Sequence, residues 1–352
     1  MKIALITDQH FGARNDSEVF HKHFEQFYGS VFFPYIDKHN IKHIIDLGDT
    51  FDRRKYVNYF SLDRCRGYWF NEVAAREIRH DVIVGNHCTY YKNTNKINSP
   101  DLLLKEYNNI IVHAGPRSII VDGVEIALIP WICEDNVDET VRFINDTKAQ
   151  VCFGHLELQG FEMYKGSMIN IGYSASMFKK FDIVCSGHYH HKSTRDNINY
   201  LGAPYEMTWS DYDDPRGFHI FDTNTRSLEF IENPLLMFHK IYYDDVKNPI
   251  DIKTFNPQNL TGKFVKIVVS NKTNPHNFDL MVDIIEKKNV ASLQVVDDHM
   301  NLNMEEDSDI INEAEDTLSL VSKYIQQLQV AVDKPRLEGV LRNLYHDAIS
   351  LE

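Results

Sequence analysis

The sequence predicts a layered α/β fold, and three observations lead to this prediction. Short runs of consecutive apolar residues recur along the first 230 residues, and helical stretches separate them. Such runs are typical of strands buried on both faces of a sheet. The chain has 352 residues, enough for about two domains with substantial cores. Hydrophobic residues make up 43% of it and charged residues 25%, which excludes a mainly disordered or collagen-like protein.

Five apolar runs predict the buried strands of the first domain. They are residues 2–7, 42–47, 81–84, 150–153 and 182–186. Residues 17–38 and 57–78 are predicted helices, and alternation of this kind places helices on both faces of the sheets. Residues 117–130 predict a hairpin that turns at an Asp-Gly pair, and residues 198–231 predict further strands.

A change of pattern near residue 233 predicts a domain boundary. Residues 1–233 are expected to form the first domain and residues 234–297 a small α+β domain. In the small domain, strands are predicted at 240–245, 264–270 and 292–296, with a helix at 277–289. An acidic linker is predicted at 298–308 and two amphipathic helices at 309–352. The full expectation is thus an α/β sandwich flanked by helices, followed by a small α+β domain and a C-terminal helical pair.

The net charge of −14 argues against a protein that grips nucleic acid by bulk electrostatics alone. It leaves open a protein that meets phosphates through bound metal ions. Residues 301–352 hold 11 acidic and 4 basic residues, which is half of the acidic excess. No apolar run is long enough to span a membrane, and the N-terminal residues become polar too soon for a secretory signal. The five cysteines form no CxxC pair. We therefore expect a cytoplasmic protein with reduced thiols.

Polar side chains that bind metals follow the apolar runs directly, usually beside a glycine. These are Asp8 and His10, Asp49 and Asp52, Asn86 and His87, His155, and His188 and His190. Because the carboxyl ends of strands in α/β sheets converge on one crevice, these groups are expected to meet there. Without Asp52 and His87, the set has seven ligands of the kind that Mn²⁺, Fe²⁺ or Zn²⁺ accept. Seven ligands are too many for one catalytic ion and suit two ions that share a carboxylate.

The ordered motifs DQH, GDTFD, GNH, GH and GHYH resemble those of the calcineurin-like metallophosphoesterase superfamily. The resemblance covers about residues 1–220. Within the superfamily, the runs LIPWICEDN and YLGAPYEMTW, followed by DPRGFHIFD, are most similar to the SbcD-type (meiotic-recombination) DNA nucleases, including the recombination nucleases of T-even-like phages. The resemblance implies a metallophosphoesterase β-sandwich, a DNA-capping role for the small domain, and two divalent ions, with Mn²⁺ favoured and Mg²⁺ as the alternative.

The resemblance also implies a role for each motif residue. One ion would be held by Asp8, His10, Asp49 and His190, and the other by Asp49, Asn86, His155 and His188. His87 would protonate the leaving oxygen or stabilise charge on the phosphate. Asp52 would hydrogen-bond the far nitrogen of His87, although a turn or helix-cap aspartate is the alternative interpretation. Cys88 departs from the family, which usually has a carboxylate there; it either fills a gap in the core, weakens activity, or is a redox-sensitive thiol.

Basic and aromatic residues follow two of the metal loops and are candidates for contacts with DNA. They are Arg53, Arg54, Lys55, Tyr90 and Lys92, and the alternative is an ordinary solvated surface. Large apolar residues on the second predicted helix, namely Tyr59, Phe60, Tyr68, Trp69 and Phe70, suggest core packing or the homodimer contact implied by the resemblance.

The C-terminal helices have apolar faces that need a partner. The apolar positions include Leu318, Val321, Ile325, Leu328, Leu341 and Leu344. In SbcD-type nucleases this region binds an SMC-like ATPase of the SbcC type, and packing against the chain's own body is the alternative. The resemblance implies a DNA nuclease with 3′→5′ exonuclease activity on duplexes and endonuclease activity on single strands, acting in double-strand break processing. The alternatives are a phosphatase or cyclic-nucleotide phosphodiesterase with the same metals, and a catalytically weakened scaffold.

Overall fold

The computed structural model describes residues 1–169 and 172–297. Two six-stranded β-sheets form the centre of this part of the chain. The first sheet has, in spatial order, β14 (Leu228–Glu232), β13 (Gly217–Asp222), β1 (Lys2–Ile6), β2 (His43–Asp46), β3 (Arg79–Ile83) and β4 (Ile110–His113). The second has β11 (Ser193–Arg195), β12 (Ile198–Tyr200), β10 (Ile183–Gly187), β7 (Val151–His155), β6 (Val124–Ile129) and β5 (Arg117–Val121). Strands β1 to β4 are mutually parallel, as are β6, β7, β10 and β12.

The two sheets pack face to face. One hydrophobic cluster contains Leu5 and Ile45 of the first sheet together with Leu128 and Phe153 of the second, all fully buried. The opposite face of the second sheet forms another cluster, to which Ile144 of the helix Val137–Asp146 contributes. Helices therefore lie outside a central sandwich, which confirms the predicted layered α/β fold.

Short helices fill the connections between strands. The helices are Glu18–Phe27, Phe33–Lys38, Tyr59–Cys65, Asn71–Ala75, Ser99–Leu103, Val137–Asp146 and Pro275–Glu286, with π-helical turns at Tyr28–Phe32 and Arg66–Phe70. A turn at Ala13–Asp16 and 3₁₀ turns at Asn86–Cys88, Ala175–Phe178 and Trp209–Asp211 complete the set. The predicted helices 17–38 and 57–78 thus exist, and each contains a π-helical turn that the apolar pattern did not show. Among the described residues, no helix combines the length and apolar character that crossing a membrane requires.

The predicted hairpin turns at Asp122 and Gly123, whose φ angles are 51° and 77°. Positive φ at both central residues is the geometry of a type I′ turn, for which Asp-Gly is a preferred pair. A second, two-stranded hairpin pairs β8 (Phe161–Tyr164) with β9 (Ser167–Ile169). The five cysteines are all free and buried.

A three-stranded parallel sheet follows the sandwich and has its own core. It consists of β15 (Phe238–Asp244), β16 (Phe264–Asn271) and β17 (Ser292–Asp297), and the helix Pro275–Glu286 packs on it through Met281 and Ile285. These elements match the predicted α+β segment within a few residues. Residues 1–207 and 211–297 form one compact unit, so the boundary after residue 233 stays a prediction. The predicted linker and the helical pair at 309–352 lie outside the described residues.

Candidate metal centre

All seven predicted ligands come together at the carboxyl ends of five parallel strands. β1, β2 and β3 lead into Asp8 and His10, Asp49, and Asn86; β7 ends on His155, and β10 leads into His188 and His190. The loops of the first sheet are tied together, since the N–H of Asp8 donates to the carbonyl of Gly48 and the N–H of His10 to that of Asp49, each at 2.9 Å. Positive φ angles occur at four of the ligand residues, namely Asp8, His10, Asp49 and His188. This backbone conformation is energetically unfavourable for residues other than glycine. Strain concentrated on the ligand-bearing loops is typical of a functional site.

The first ligand cluster contains Asp8, His10 and His190. One ligand atom from each lies within 4.8 Å of the others, and all three side chains are buried. The Nε2 atoms of His10 and His190 face each other at 3.0 Å, and His10 Nε2 lies 4.0 Å from Asp8 Oδ1. Two imidazole nitrogens and a carboxylate oxygen that converge in this way suit a divalent transition metal.

The second ligand cluster contains Asp49, His155 and His188, with ligand atoms also within 4.8 Å of one another. Asn86 completes it, because its Oδ1 lies 2.9 Å from His155 Nε2 and 2.9 Å from His188 Nδ1. His155 Nδ1 donates to the carbonyl of Leu47 at 2.8 Å, which leaves Nε2 free to act as a ligand, 3.1 Å from Asp49 Oδ2.

Burial opposes ionisation of the two carboxyl groups of the centre. Nearby charged residues then determine whether the pKa of each group is raised or lowered. Burial raises the pKa of Asp8; attraction to His155 opposes this, and the nearby carboxylate of Asp49 adds to it. Burial also penalises the charged form of Asp49, yet attraction to His155 and His87 holds the pKa of Asp49 well below its ordinary value. Two buried carboxylates in one crevice need compensating positive charge, which divalent cations would supply.

The imidazoles of the centre differ in their charge. Burial lowers the pKa of His188 and His190 well below the ordinary value, so both rings are neutral near pH 7. Burial acts on His10 in the same direction, but the carboxylates of Asp52 and Asp49 outweigh it and raise the pKa of His10 to about 10. Metal ions bind neutral imidazole and ionised carboxylate, so a cation bound here would replace the proton on His10.

The predicted hydrogen bond from the ring of His87 to the carboxylate of Asp52 is wrong. His87 Nδ1 donates instead to the backbone carbonyl of Asp52 at 2.6 Å, and the Asp52 carboxylate lies 3.2 Å from Nδ1 of His10. The carboxylate of Asp52 therefore faces a candidate ligand, His10, while its backbone carbonyl holds the candidate acid, His87.

Cys88 is fully buried, with its sulfur 4.0 Å from the carbonyl oxygen of Phe51. Burial raises the pKa of the thiol to about 12, so very little thiolate is present at neutral pH. This environment favours the interpretation of Cys88 as a small group that fills the core over that of a redox-sensitive thiol.

A buried hydrogen-bond network beneath the first cluster was not found in the sequence. Gln9, which separates two of the predicted ligands, donates to Asp46 at 2.8 Å and accepts from Tyr28 at 2.6 Å, while Tyr205 donates to its backbone carbonyl at 2.6 Å. Asp46 also accepts from Thr50 at 2.7 Å, and burial raises the pKa of Asp46 to about 7. The network fixes the loop between the two ligands. Its only signal in the sequence was a polar residue between two metal ligands.

A buried arginine supports the last metal loop and was also missed. Arg216 donates to the backbone carbonyl of His190 and forms ion pairs with Asp211 and Asp214 at 2.7 and 2.8 Å. Asp214 in turn lies 2.9 Å from Nδ1 of His191. Arg216 belongs to the run DPRG, which served only as a mark of the family resemblance. No local pattern links this arginine to the loop of His190, 26 residues earlier.

The residues predicted to contact DNA differ in availability. Arg53 is held by Asp16 at 2.9 Å and lies over the Tyr56 ring, so its cation is already engaged. Arg54 is half-buried, and no carboxylate within the described ranges forms an ion pair with it; burial lowers its pKa, against attraction to Asp49. Lys55, Lys92 and Tyr90 are exposed around it. Arg54 is therefore a cation near the metal loops that no carboxylate of the described ranges pairs with, although it reaches Thr89 Oγ1 at 3.4 Å.

Comparison with known proteins agrees with this geometry. The profile of the family described as calcineurin-like phosphoesterase matches residues 1–192. Exonuclease subunit 1 of Enterobacteria phage T4 is 34% identical over 337 residues, which cover 96% of this chain and 95% of that protein.

Two solved structures show weaker likeness. A study of a novel archaeal phosphodiesterase describes a chain that is 14% identical, with 66% of this chain and 100% of that chain covered and a TM-score of 0.32. A protein of unknown function from Aquifex aeolicus is 17% identical, with 56% and 82% covered and a TM-score of 0.24. Structural similarity at this level supports no conclusion about the fold or the function of this chain.

Proposed function

This chain belongs to the calcineurin-like phosphoesterase family, and from that premise we propose that it is a DNA nuclease that uses two divalent cations, with Mn²⁺ favoured and Mg²⁺ as the alternative. The convergence of two ligand clusters in one crevice supports this proposal most directly. The cation of the first cluster would be held by Asp8, His10, Asp49 and His190, and that of the second by Asp49, Asn86, His155 and His188. We assign Asp49 to both sets as a shared carboxylate; it lies in the second cluster and is also attracted to His10 of the first.

Several residues of this chain have separate proposed roles in phosphodiester cleavage. When bound by these residues, two cations would supply a water of lowered pKa and would stabilise charge on the phosphate. Asp52 and the carbonyl of Leu47 orient His10 and His155 through the ring nitrogens that face away from the clusters. Arg54 neutralises the phosphate, and His87 donates the proton that the leaving oxygen needs.

DNA is the proposed substrate for two reasons. The phage relative is called an exonuclease subunit, and the match to it extends over nearly the whole of both chains. Arg54, Lys55, Lys92 and Tyr90 also provide cations and an aromatic surface beside the metal loops. By the same relationship we propose 3′→5′ exonuclease action on duplexes, endonuclease action on single strands, and a role in double-strand break processing in the host cytoplasm.

A comparison of substrates tests the proposal. In Mn²⁺, the protein is expected to degrade a duplex oligonucleotide labelled at either end far faster than it hydrolyses a phosphate monoester or a 2′,3′-cyclic nucleotide, and a chelator should stop the reaction. The order in which labelled fragments appear reports the polarity. Preferential hydrolysis of the small esters would identify a phosphatase or cyclic-nucleotide phosphodiesterase, and no hydrolysis of any substrate would favour a scaffold.

We also propose that the chain forms a homodimer through an apolar surface next to Arg54. This surface lies between the helices Tyr59–Cys65 and Ser99–Leu103, where the side chains of Tyr59 and Leu102 are 88% and 62% exposed. Phe60 is also exposed, whereas the neighbouring Tyr68, Trp69 and Phe70 are buried in the core. An exposed apolar surface of this kind marks an interaction site.

Replacement of Leu102 by glutamate is expected to convert a dimer into a monomer. The charge would be buried without a partner at the interface, which weakens association by at least roughly 2–3 kcal/mol. Sedimentation velocity across a concentration series measures the change. Ile120→Glu is the matched control, because Ile120 is an apolar side chain that is 73% exposed on the strand β5. A Leu102→Glu protein that dimerises like wild type would place the interface elsewhere.

The phage relative is a subunit, which supports the proposal of a partner, and we propose an SMC-like ATPase of the SbcC type. The proposed contact residues Leu318, Val321, Ile325, Leu328, Leu341 and Leu344 lie outside the described residues. Truncation before Asp309 is expected to abolish binding of the ATPase while nuclease activity on simple substrates remains. Co-purification of the two proteins measures this, and retained binding would assign these helices to another role.

A further inference from the structure

Trp131 lies against the second ligand cluster, and neither the ligand set nor the proposed chemistry accounts for it. It lies two residues after the end of β6 and so stands at the same edge of the second sheet as the ligand loops. The centre of its ring is 5.2 Å from that of His188, with the two planes inclined by 44°, and 6.4 Å from that of His155. One aromatic side chain therefore lies beside both imidazoles of that cluster and is closer to His188.

The backbone of Trp131 is anchored on both sides. Its N–H donates to the carbonyl of Val84 at 2.8 Å, and Val84 follows β3 in the other sheet. Its own carbonyl accepts from the side-chain amides of Asn95 and Asn136 at 2.8 and 2.9 Å, and both asparagines are buried. The ring is thus mounted on a segment that bridges the ends of the two sheets.

The ring of His188 lacks a hydrogen bond that would fix its orientation from the side away from the cluster. The residue has a φ of 86°, in the left-handed region that favours glycine. Its Nδ1 lies 2.9 Å from Oδ1 of Asn86, while its Nε2 is buried and has no hydrogen-bond partner among the described residues. No hydrogen bond from a second protein group therefore fixes the rotation of this ring, in contrast to His155, which the carbonyl of Leu47 holds.

We propose that Trp131 is a positioning residue for His188, and through it for the cation of the second cluster. The indole face keeps the imidazole of His188 turned towards Asn86 and Asp49, and it keeps water away from the back of the ring. This inference rests on the proposed two-cation function. It assigns a physical role to the Trp of the run LIPW, which the sequence had supplied only as a mark of resemblance.

The aromatic face of Trp131, not its N–H group, carries this role. The indole Nε1 is buried and has no hydrogen-bond partner among the described residues. A buried donor without an acceptor disfavours the folded state, so removal of the N–H group should do no harm. A phenyl ring at this position would keep the contact with His188, whereas a small aliphatic side chain would not.

Measurement of Mn²⁺ binding by electron paramagnetic resonance and calorimetry tests the proposal. Wild type is expected to bind two ions, and Trp131→Phe is expected to bind both with affinities within a few fold of wild type. Trp131→Ala is expected to lose affinity for one of the two ions by about 10–100-fold, as for other groups that orient a metal ligand, with the other ion little changed. Saturating Mn²⁺ should then restore cleavage by Trp131→Ala. Tyr91→Ala, which removes an exposed aromatic ring, is the control.

A second measurement does not depend on a truncated side chain. Mn²⁺ bound near Trp131 should quench its fluorescence, so titration of wild type should show a quenched component that Trp131→Phe lacks. Two equally tight ions in a folded Trp131→Ala protein, or equal quenching in wild type and Trp131→Phe, would overturn the role of Trp131. Failure of wild type itself to bind two Mn²⁺ ions would instead overturn the proposed function.

Discussion

Replacement of Asp49 by asparagine is expected to abolish binding of both cations and to reduce DNA cleavage by at least about 10³-fold. Asp49 and Asp8 are the two carboxylates in the proposed ligand sets, so this change removes half of the negative charge that faces the cations. Asparagine has nearly the same shape, and the effect can therefore be assigned to charge and not to a cavity.

The contacts of Asp49 explain why an amide cannot replace it. Its Oδ1 accepts the backbone N–H of His87 at 2.8 Å, and its Oδ2 lies 3.1 Å from Nε2 of His155. An asparagine can keep the acceptor for the His87 N–H only by turning its NH₂ group towards Nε2 of His155. In that orientation the amide occupies the lone pair that a cation of the second cluster needs, so the change removes a charge and also blocks a candidate ligand.

Titration of the purified variant with Mn²⁺, followed by measurement of kcat/KM on duplex DNA, tests this expectation. Asp213→Asn is the matched control, since the side chain of Asp213 is 82% exposed and its nearest cation, Lys165, is 3.9 Å away. An Asp49→Asn protein that binds two ions and cleaves DNA at a rate near that of wild type would contradict the shared-carboxylate assignment.

The sequence was sufficient to predict which residues gather at the centre, for a definite physical reason. Buried parallel strands leave a clear record as apolar runs, and the residue after such a run must stand at the edge where ligands bind. Asp8, Asn86 and His155 were found in this way, and each lies in a cluster. The type I′ hairpin was predictable for a similar reason, because Asp-Gly is one of the few pairs that accept two positive φ angles.

Features that depend on orientation or on distant parts of the chain were not predictable. Spacing placed Asp52 near His87 but could not show that its carbonyl, and not its carboxylate, faces the ring. Arg216 donates to the carbonyl of His190, 26 residues earlier, and β13 at residues 217–222 pairs with β1 at residues 2–6. Local pattern carries no information about such long-range pairings, so only the folded structure reveals them.

The second large effect is expected at His87, where replacement by alanine should leave both cations bound and still reduce DNA cleavage by about 10²–10⁴-fold, the range for loss of a general acid. His87 belongs to neither proposed ligand set. Its Nδ1 donates to the carbonyl of Asp52 at 2.6 Å, which fixes one proton and leaves Nε2 as the atom that can deliver another. Its ring centre lies 4.9 Å from that of His10, close enough for the acid to serve a phosphate held by the cations.

The leaving group separates acid catalysis from any other role of His87. A deoxyribose oxygen is a poor leaving group and needs a proton, whereas p-nitrophenolate leaves without one. His87→Ala should therefore be strongly impaired on DNA and much less so on bis(p-nitrophenyl) phosphate, with Mn²⁺ stoichiometry equal to that of wild type. His10→Ala, which removes a proposed ligand, should lose both activities together with the cation of the first cluster, and His39→Ala, at an exposed position, should change nothing. Equal losses on both substrates would show that His87 stabilises phosphate charge instead, and loss of Mn²⁺ would make it a ligand.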